Sequence, residues 1–244
     1  MKKVLFVNGC IRGAQSRSLR LAQRLVSQIP DAEIEDLALP SLHLTPCNAA
    51  DIVERDALSA AGAFDLPFFA LANQFRQADA VVLACPFWDM SVPSMVRNYL
   101  ERVCVTGLTF HYTPEGRPVG DCAMQRFVYV TTRGGYVDDS DPVLIDHASS
   151  YLNSLCRLLS SGRFDTLAAQ GLDIVGRLLR LPAEPKPKPT VWPPPSGTDP
   201  IDIINNAPLC VLAKGRIVYG GAENPSPNTS LVSVIITKAA GSSA

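Results

Sequence analysis

The chain has 244 residues, 47% of them hydrophobic, and a formal net charge of −1. That length allows one domain plus an extension, or two small domains. The near-neutral charge removes the electrostatic case for a nucleic-acid partner, and no apolar run approaches the roughly 18–20 residues that a membrane-spanning helix needs.

Met1-Lys2-Lys3 before a short apolar run superficially resembles a signal peptide, but the run is too short and no small-residue cleavage site follows. Lys3 to Asn8 is read instead as a first, buried parallel strand. Apolar residues then recur at helical spacing from Leu19 to Ile29, with Pro30 expected to stop that helix. A second strand is expected from Ala32 to Leu37, and helices over 48–60 and 66–78. Ala78 to Cys85 is the cleanest central strand. Pro93 begins a helix of about a dozen residues, as Pro suits a first turn. Residues 107–122 carry turn residues and are expected to form a loop or short hairpin. A strand from Arg126 to Thr132, a helix from Asp141 to Leu159 and a last strand from Arg163 to Ala168 complete the pattern.

Strands alternating with helices imply an α/β fold: a doubly wound, parallel, five-stranded sheet covered on both faces. The composition changes after Gly176. Of the 20 prolines, 11 lie beyond that point. Residues 1–176 are therefore read as one domain and 177–244 as a proline-rich, poorly ordered extension, with Pro182 to Pro200 extended. Two apolar segments in it, Pro208 to Ala213 and Leu231 to Thr237, are the only candidates for strands there. The seven cysteines include no C-x-x-C pair and several lie in apolar segments. Reduced core thiols and a cytoplasmic location follow. The three histidines show no metal-ligand spacing.

Three segments follow strands at one edge of such a sheet, where ligands bind. In the turn after the first strand, Ser16-Arg17-Ser18 precede a helix, so hydroxyls and free backbone N–H groups converge on an anion. The plainer role for Ser16 is a helix cap. Pro86-Phe87-Trp88-Asp89-Met90 follows the third strand, and its two aromatics suit a planar heterocycle or simply pack on their own domain. Thr132-Arg133-Gly134-Gly135 follows the fourth; its glycines allow close approach of a ligand, or merely a turn. Neither G-x-x-x-x-G-K-[ST] nor G-x-G-x-x-G occurs.

Taken together, these segments resemble those of the FMN-dependent NADH-azoreductase and quinone reductase family, with its flavodoxin-like fold. Ser16-Arg17-Ser18 matches that family's Ser-x-Ser phosphate loop. Pro86-Phe87-Trp88-Asp89-Met90 stands where it has Pro-Met-Tyr-Asn-Phe, and Thr132-Arg133-Gly134-Gly135 where it has Ser-Arg-Gly-Gly. Gly107 to Thr113 is similar to a further family stretch, and the resemblance runs from Lys3 to Gly176. It implies strand order 2-1-3-4-5, bound FMN, NADH or NADPH as co-substrate, quinones and azo compounds as acceptors, a homodimer, and no nominated catalytic side chain. The cofactor residues it implies are the three segments above together with Cys10. Cys10 stands where the family often has Ser, and Asp89 where it has Asn. A proline-rich tail replaces the family's last helix. A flavodoxin-type electron carrier is the alternative, although such carriers are strongly acidic and residues 1–176 hold 15 Lys+Arg against 19 Asp+Glu, a net of −4. A flavin-free relative, consistent with Cys10 and Asp89, is the other.

Overall fold

The computed structural model describes residues 2–137 and 143–174 and the backbone of 234–238. Among the described residues, seven strands and six α-helices precede residue 175. They are β1 (Lys2–Asn8), α1 (Arg17–Val26), β2 (Ala32–Ala38), α2 (Leu39–Leu42), α3 (Ala49–Ala60), α4 (Ala70–Gln77), β3 (Ala80–Ala84), α5 (Ser94–Val103), β4 (Phe110–Tyr112), β5 (Pro118–Gly120), β6 (Arg126–Thr132), α6 (His147–Leu159) and β7 (Arg163–Ala169).

Five strands form a parallel sheet in the order β2-β1-β3-β6-β7, while β4 and β5 form a separate antiparallel hairpin. With the hairpin set aside, this is the expected 2-1-3-4-5 order. Strand order reverses at β1, whose neighbours are β2 and β3. The sheet is not limited to the five strands expected. Val234–Lys238 (β8) pairs antiparallel with β7, Asp165 opposite Lys238 and Ala169 opposite Val234. The candidate segment Leu231 to Thr237 thus contains a strand; the remainder of the tail, Pro208 to Ala213 included, lies outside the described residues.

Alternation along each strand sorts the core onto two faces. Val4, Phe6, Val82, Ala84, Val128 and Val130 pack against Leu19, Ala22 and Val26 of α1. Leu5, Val7, Val81, Leu83, Phe127 and Tyr129 pack against Phe75 of α4, Val96, Tyr99 and Leu100 of α5, and Leu152 and Cys156 of α6. Full burial of one such large apolar side chain contributes about 1.5–3 kcal/mol.

Local boundaries differ from the sequence reading where capping decides them. Helix α1 ends at Val26 with Ser27 as its C-cap, three residues before Pro30. A proline disfavours helical geometry in the preceding residue and cannot donate back into the last turn, so the helix stops short of it. The stretch over 66–78 splits into a 3-10 turn, Pro67–Phe69, and α4. Helix α6 begins at His147, not Asp141, because Asp146 is its N-cap and accepts from the Ser149 amide; Asp141 lies outside the described residues. The segment 107–122 contains the hairpin β4–β5.

Candidate functional site

All five parallel strands deliver their C-terminal ends to one edge, and the loops after β1 and β3 flank the reversal of strand order, where a doubly wound sheet opens a crevice. Gly9, at the start of the first loop, donates to the Ala84 carbonyl at 2.7 Å. A Cβ on Gly9 would stand 2.7 Å from Cγ2 of Val96, so only glycine lets this loop lie against α5. The loop passes through a short 3-10 turn, Gly13–Gln15, into α1. Ser16 caps α1, its hydroxyl accepting from the Leu19 amide at 3.2 Å. The first-turn amides of α1, those of Arg17 and Ser18 among them, have no partner within the helix and point at its positive end.

The second loop is a tight turn. Trp88 and Ser91 exchange two backbone hydrogen bonds, 3.1 and 2.8 Å, around Asp89 and Met90. Both central residues are left-handed, with φ of 50° and 63°. This is the type I′ arrangement, which favours Asn-Gly and costs an L residue other than Gly about 1–2 kcal/mol. Trp88 at the tip is 39% exposed. The Met90 carbonyl accepts from the His147 amide at 3.1 Å, which ties the turn to the start of α6.

The third loop is stitched to the segment after β7. Amides of Gly171, Leu172 and Asp173 donate to the carbonyls of Gly135, Arg133 and Gly134, at 3.0, 3.2 and 3.0 Å. A Cβ on Gly134 would meet the Asp173 carboxylate, so a larger residue there would displace that side chain from its place beside Arg17. Gly135 and Tyr136 are exposed beside it.

Side chains join the three loops. The Ser18 and Thr132 hydroxyls are 2.8 Å apart. Arg17 donates to both carboxylate oxygens of Asp173, at 2.8 and 3.2 Å, and more weakly to the Leu172 carbonyl. That hydrogen bonding holds the Asp173 carboxyl below the usual aspartate range. Arg133 is buried, 6% exposed, ion-paired with Asp146 and lying over the Phe87 ring at 4.6 Å.

Cys10 is brought to the loop but turned inward. It is buried, its thiol 3.4 Å from the Ala84 carbonyl, and burial pushes the thiol up despite hydrogen bonding from Ser16 and the Leu19 backbone. Sequence reasoning missed Asp146, Ser149 and Asp173. The tetrad Asp146-His147-Ala148-Ser149 carries a capping signal that could have found the first two. Nothing local marks Asp173. No group of three or more His, Cys, Asp or Glu among the described residues could hold a metal ion.

A family model for the flavodoxin-like fold matches residues 2–178. The chain belongs to that family. It is 33% identical over 183 residues to an FMN-dependent NADH:quinone oxidoreductase of Rhizobium meliloti, covering 70% of this chain and 87% of that protein. A second such oxidoreductase, from Clostridium acetobutylicum, is 38% identical over 105 residues, 43% of this chain and 52% of that one. A solved azoreductase from Bacillus anthracis superposes with a TM-score of 0.62 at 27% identity, over 71% of this chain and 88% of that one. The family and its fold agree with the expectation drawn from Ser16-Arg17-Ser18 and the two loops that follow β3 and β6.

Proposed function

We propose that this protein is an FMN-dependent oxidoreductase that passes two electrons from NADH or NADPH to quinones and aromatic azo compounds. The observation that carries this reading is the side-chain union of three loops at one sheet edge, through Ser18–Thr132 and Arg133–Phe87.

The residues present suit FMN. The phosphate fits the N-terminus of α1, where the first-turn amides of Arg17 and Ser18 are on offer and the side chains of Ser16, Arg17 and Ser18 would turn to it from Leu19, Asp173 and Thr132. The ring fits the platform of Pro86, Phe87, Trp88, Asp89 and Met90, and the backbone of Thr132 to Gly135 approaches its polar edge. When bound, FMN would supply the two-electron redox chemistry between nicotinamide and acceptor. The protein binds and orients; Trp88 and Tyr136 are both exposed beside these loops, within reach of an incoming donor or acceptor. Alternate use of one site by donor and acceptor would give ping-pong kinetics.

Ile11, Trp88, Tyr136, Val143 and Ile145 are exposed apolar residues in the loops after β1, β3 and β6. Their exposure supports a homodimer in which a second copy closes the site. Six free cysteines among the described residues support a cytoplasmic location. No helix of the described residues is long and apolar enough to cross a membrane.

An absorption spectrum of the purified protein tests the reading, followed by NADH oxidation with and without a quinone. Flavin bands and quinone-dependent turnover are expected. A colourless protein that takes up no added FMN would overturn it, and a yellow protein without quinone-dependent turnover would instead indicate an electron carrier.

A further inference from the structure

Arg133 is the most deeply enclosed cation at this edge, and its charge is already paired, with Nε left without a hydrogen-bond partner among the described residues. One face of the guanidinium covers the Phe87 ring at 4.6 Å, and Nη2 pairs with the Asp146 carboxylate. Asp146 also accepts from the amide and hydroxyl of Ser149, at 2.8 and 2.6 Å, and that hydroxyl lies 3.0 Å from Thr166 on β7. The neighbouring His147 amide holds the Met90 carbonyl. The main chain of Arg133 is fixed as well, donating to Ala169 and accepting from Leu172.

A buried cation is costly unless it is paired, and a buried pair often adds little stability over apolar packing. What this pair does is geometric. A planar guanidinium can lie flat on an aromatic ring while it bonds a carboxylate at its edge, which an ammonium cannot do. The carboxylate it bonds is the cap that sets where α6 begins, and the start of α6 holds the 88–91 turn. With its charge cancelled by Asp146, Arg133 has little field left for a phosphate.

We propose that Arg133 is a positioning residue for the cofactor ring: it fixes the plane of Phe87 and, through Asp146 and the start of α6, the Trp88–Ser91 turn, so that the ring platform is formed before the cofactor arrives. The inference rests on the functional reading above. It separates Arg133 from Ser16, Arg17 and Ser18, whose role falls on the phosphate.

The test uses the full chain stripped of flavin, titrated with FMN and with riboflavin, which has the same ring and no phosphate. The charge-balanced double variant Arg133→Met/Asp146→Asn keeps a competent N-cap on α6. It is expected to unfold within a few degrees of the wild type, yet to lose about tenfold in affinity for both flavins alike. The visible circular dichroism of the bound ring is expected to change with it. Arg133→Lys retains the ion pair without the plane, and the same equal loss is expected there even if the double variant does not fold. A loss confined to FMN would make Arg133 a phosphate ligand and overturn the proposal. Wild-type affinity in the double variant would do the same, leaving Arg133 a purely structural residue. Were the wild type itself to bind neither flavin, the functional reading would fall and this inference with it.

Discussion

The hydroxyl oxygens of Ser18 and Thr132 lie 2.8 Å apart and join the first turn of α1 to the end of β6. Ser18 is buried and Thr132 half-buried, so removal of Thr132 strands the Ser18 hydroxyl and removal of Ser18 costs Thr132 a partner. Ser18→Ala and Thr132→Val should each lower stability by about 1 kcal/mol. The double variant should cost about the same as either alone, a coupling of roughly 0.5–1.5 kcal/mol. Urea midpoints of the four proteins decide this; strictly additive losses would show that the bond contributes nothing.

Asp173 competes with any phosphate for Arg17, which already donates to both of its carboxylate oxygens. Asp173→Asn frees the guanidinium and removes a negative charge. FMN should then bind up to about fivefold tighter relative to riboflavin, the size expected of an exposed ion pair. Weaker FMN binding with riboflavin unaffected would mean that Asp173 orients Arg17 and does not compete.

The same pair has a pH signature in the flavin-free protein. The folded Asp173 carboxyl titrates below its ordinary value because of Arg17. Its stabilising effect is therefore fully present above the ordinary aspartate value and is lost as the pH falls through the lower, folded one. The Asp173→Asn protein should show a shallower acid limb in a plot of unfolding midpoint against pH. Parallel limbs for the two proteins would rule the pair out as a contributor.

Asp89 occupies the first left-handed position of the turn, a conformation that Asn adopts as readily. Asp89→Asn thus removes charge and keeps geometry. A carboxylate beside the ring opposes the extra negative charge of a reduced flavin; at an effective cost of about 1 kcal/mol, its removal should raise the two-electron potential by about 20 mV. Spectroelectrochemistry on both proteins reads the shift, and a lower potential in the Asn variant would reverse the sign assigned to the local field.

Truncation after Gly176 removes β8 and leaves the three loops of the site intact. Flavin binding should survive. The β7 edge then loses the strand that pairs with it, and the shortened chain should aggregate more readily. Loss of flavin binding by a soluble truncated protein would show that the tail belongs to the site.

Much of this fold was legible because buried parallel strands advertise themselves. Arg126 to Thr132 reads as a strand over the bounds that β6 has, and Ala78 to Cys85 overshoots β3 by two residues at its start and one at its end. The loops were legible because Ser-x-Ser, paired aromatics and paired glycines are unusual directly after such strands. What escaped was partnership at a distance. Ser18 and Arg17 were read as facing a ligand, whereas their side chains already bond Thr132 and Asp173, 114 and 156 residues away. Arg133 looked like one more ligand because its burial under Phe87 and beside Asp146 depends on packing between elements. The left-handed Asp89-Met90 turn escaped too, since neither residue is the glycine that would announce it.

Those long separations also bear on the order in which the protein is made. A phosphate loop that emerges first, with Ser18 and Arg17 waiting on Thr132 and Asp173, stays incomplete while most of the domain is still being synthesised. Closing loops of that length is slow compared with forming α1 or the β4–β5 hairpin. The anchoring point for the cofactor is thus among the last parts of the domain to mature, and loading waits until the chain has been made through Asp173. A nascent chain halted before β6 would carry the Ser-x-Ser signature in full and still have nowhere to hold a flavin.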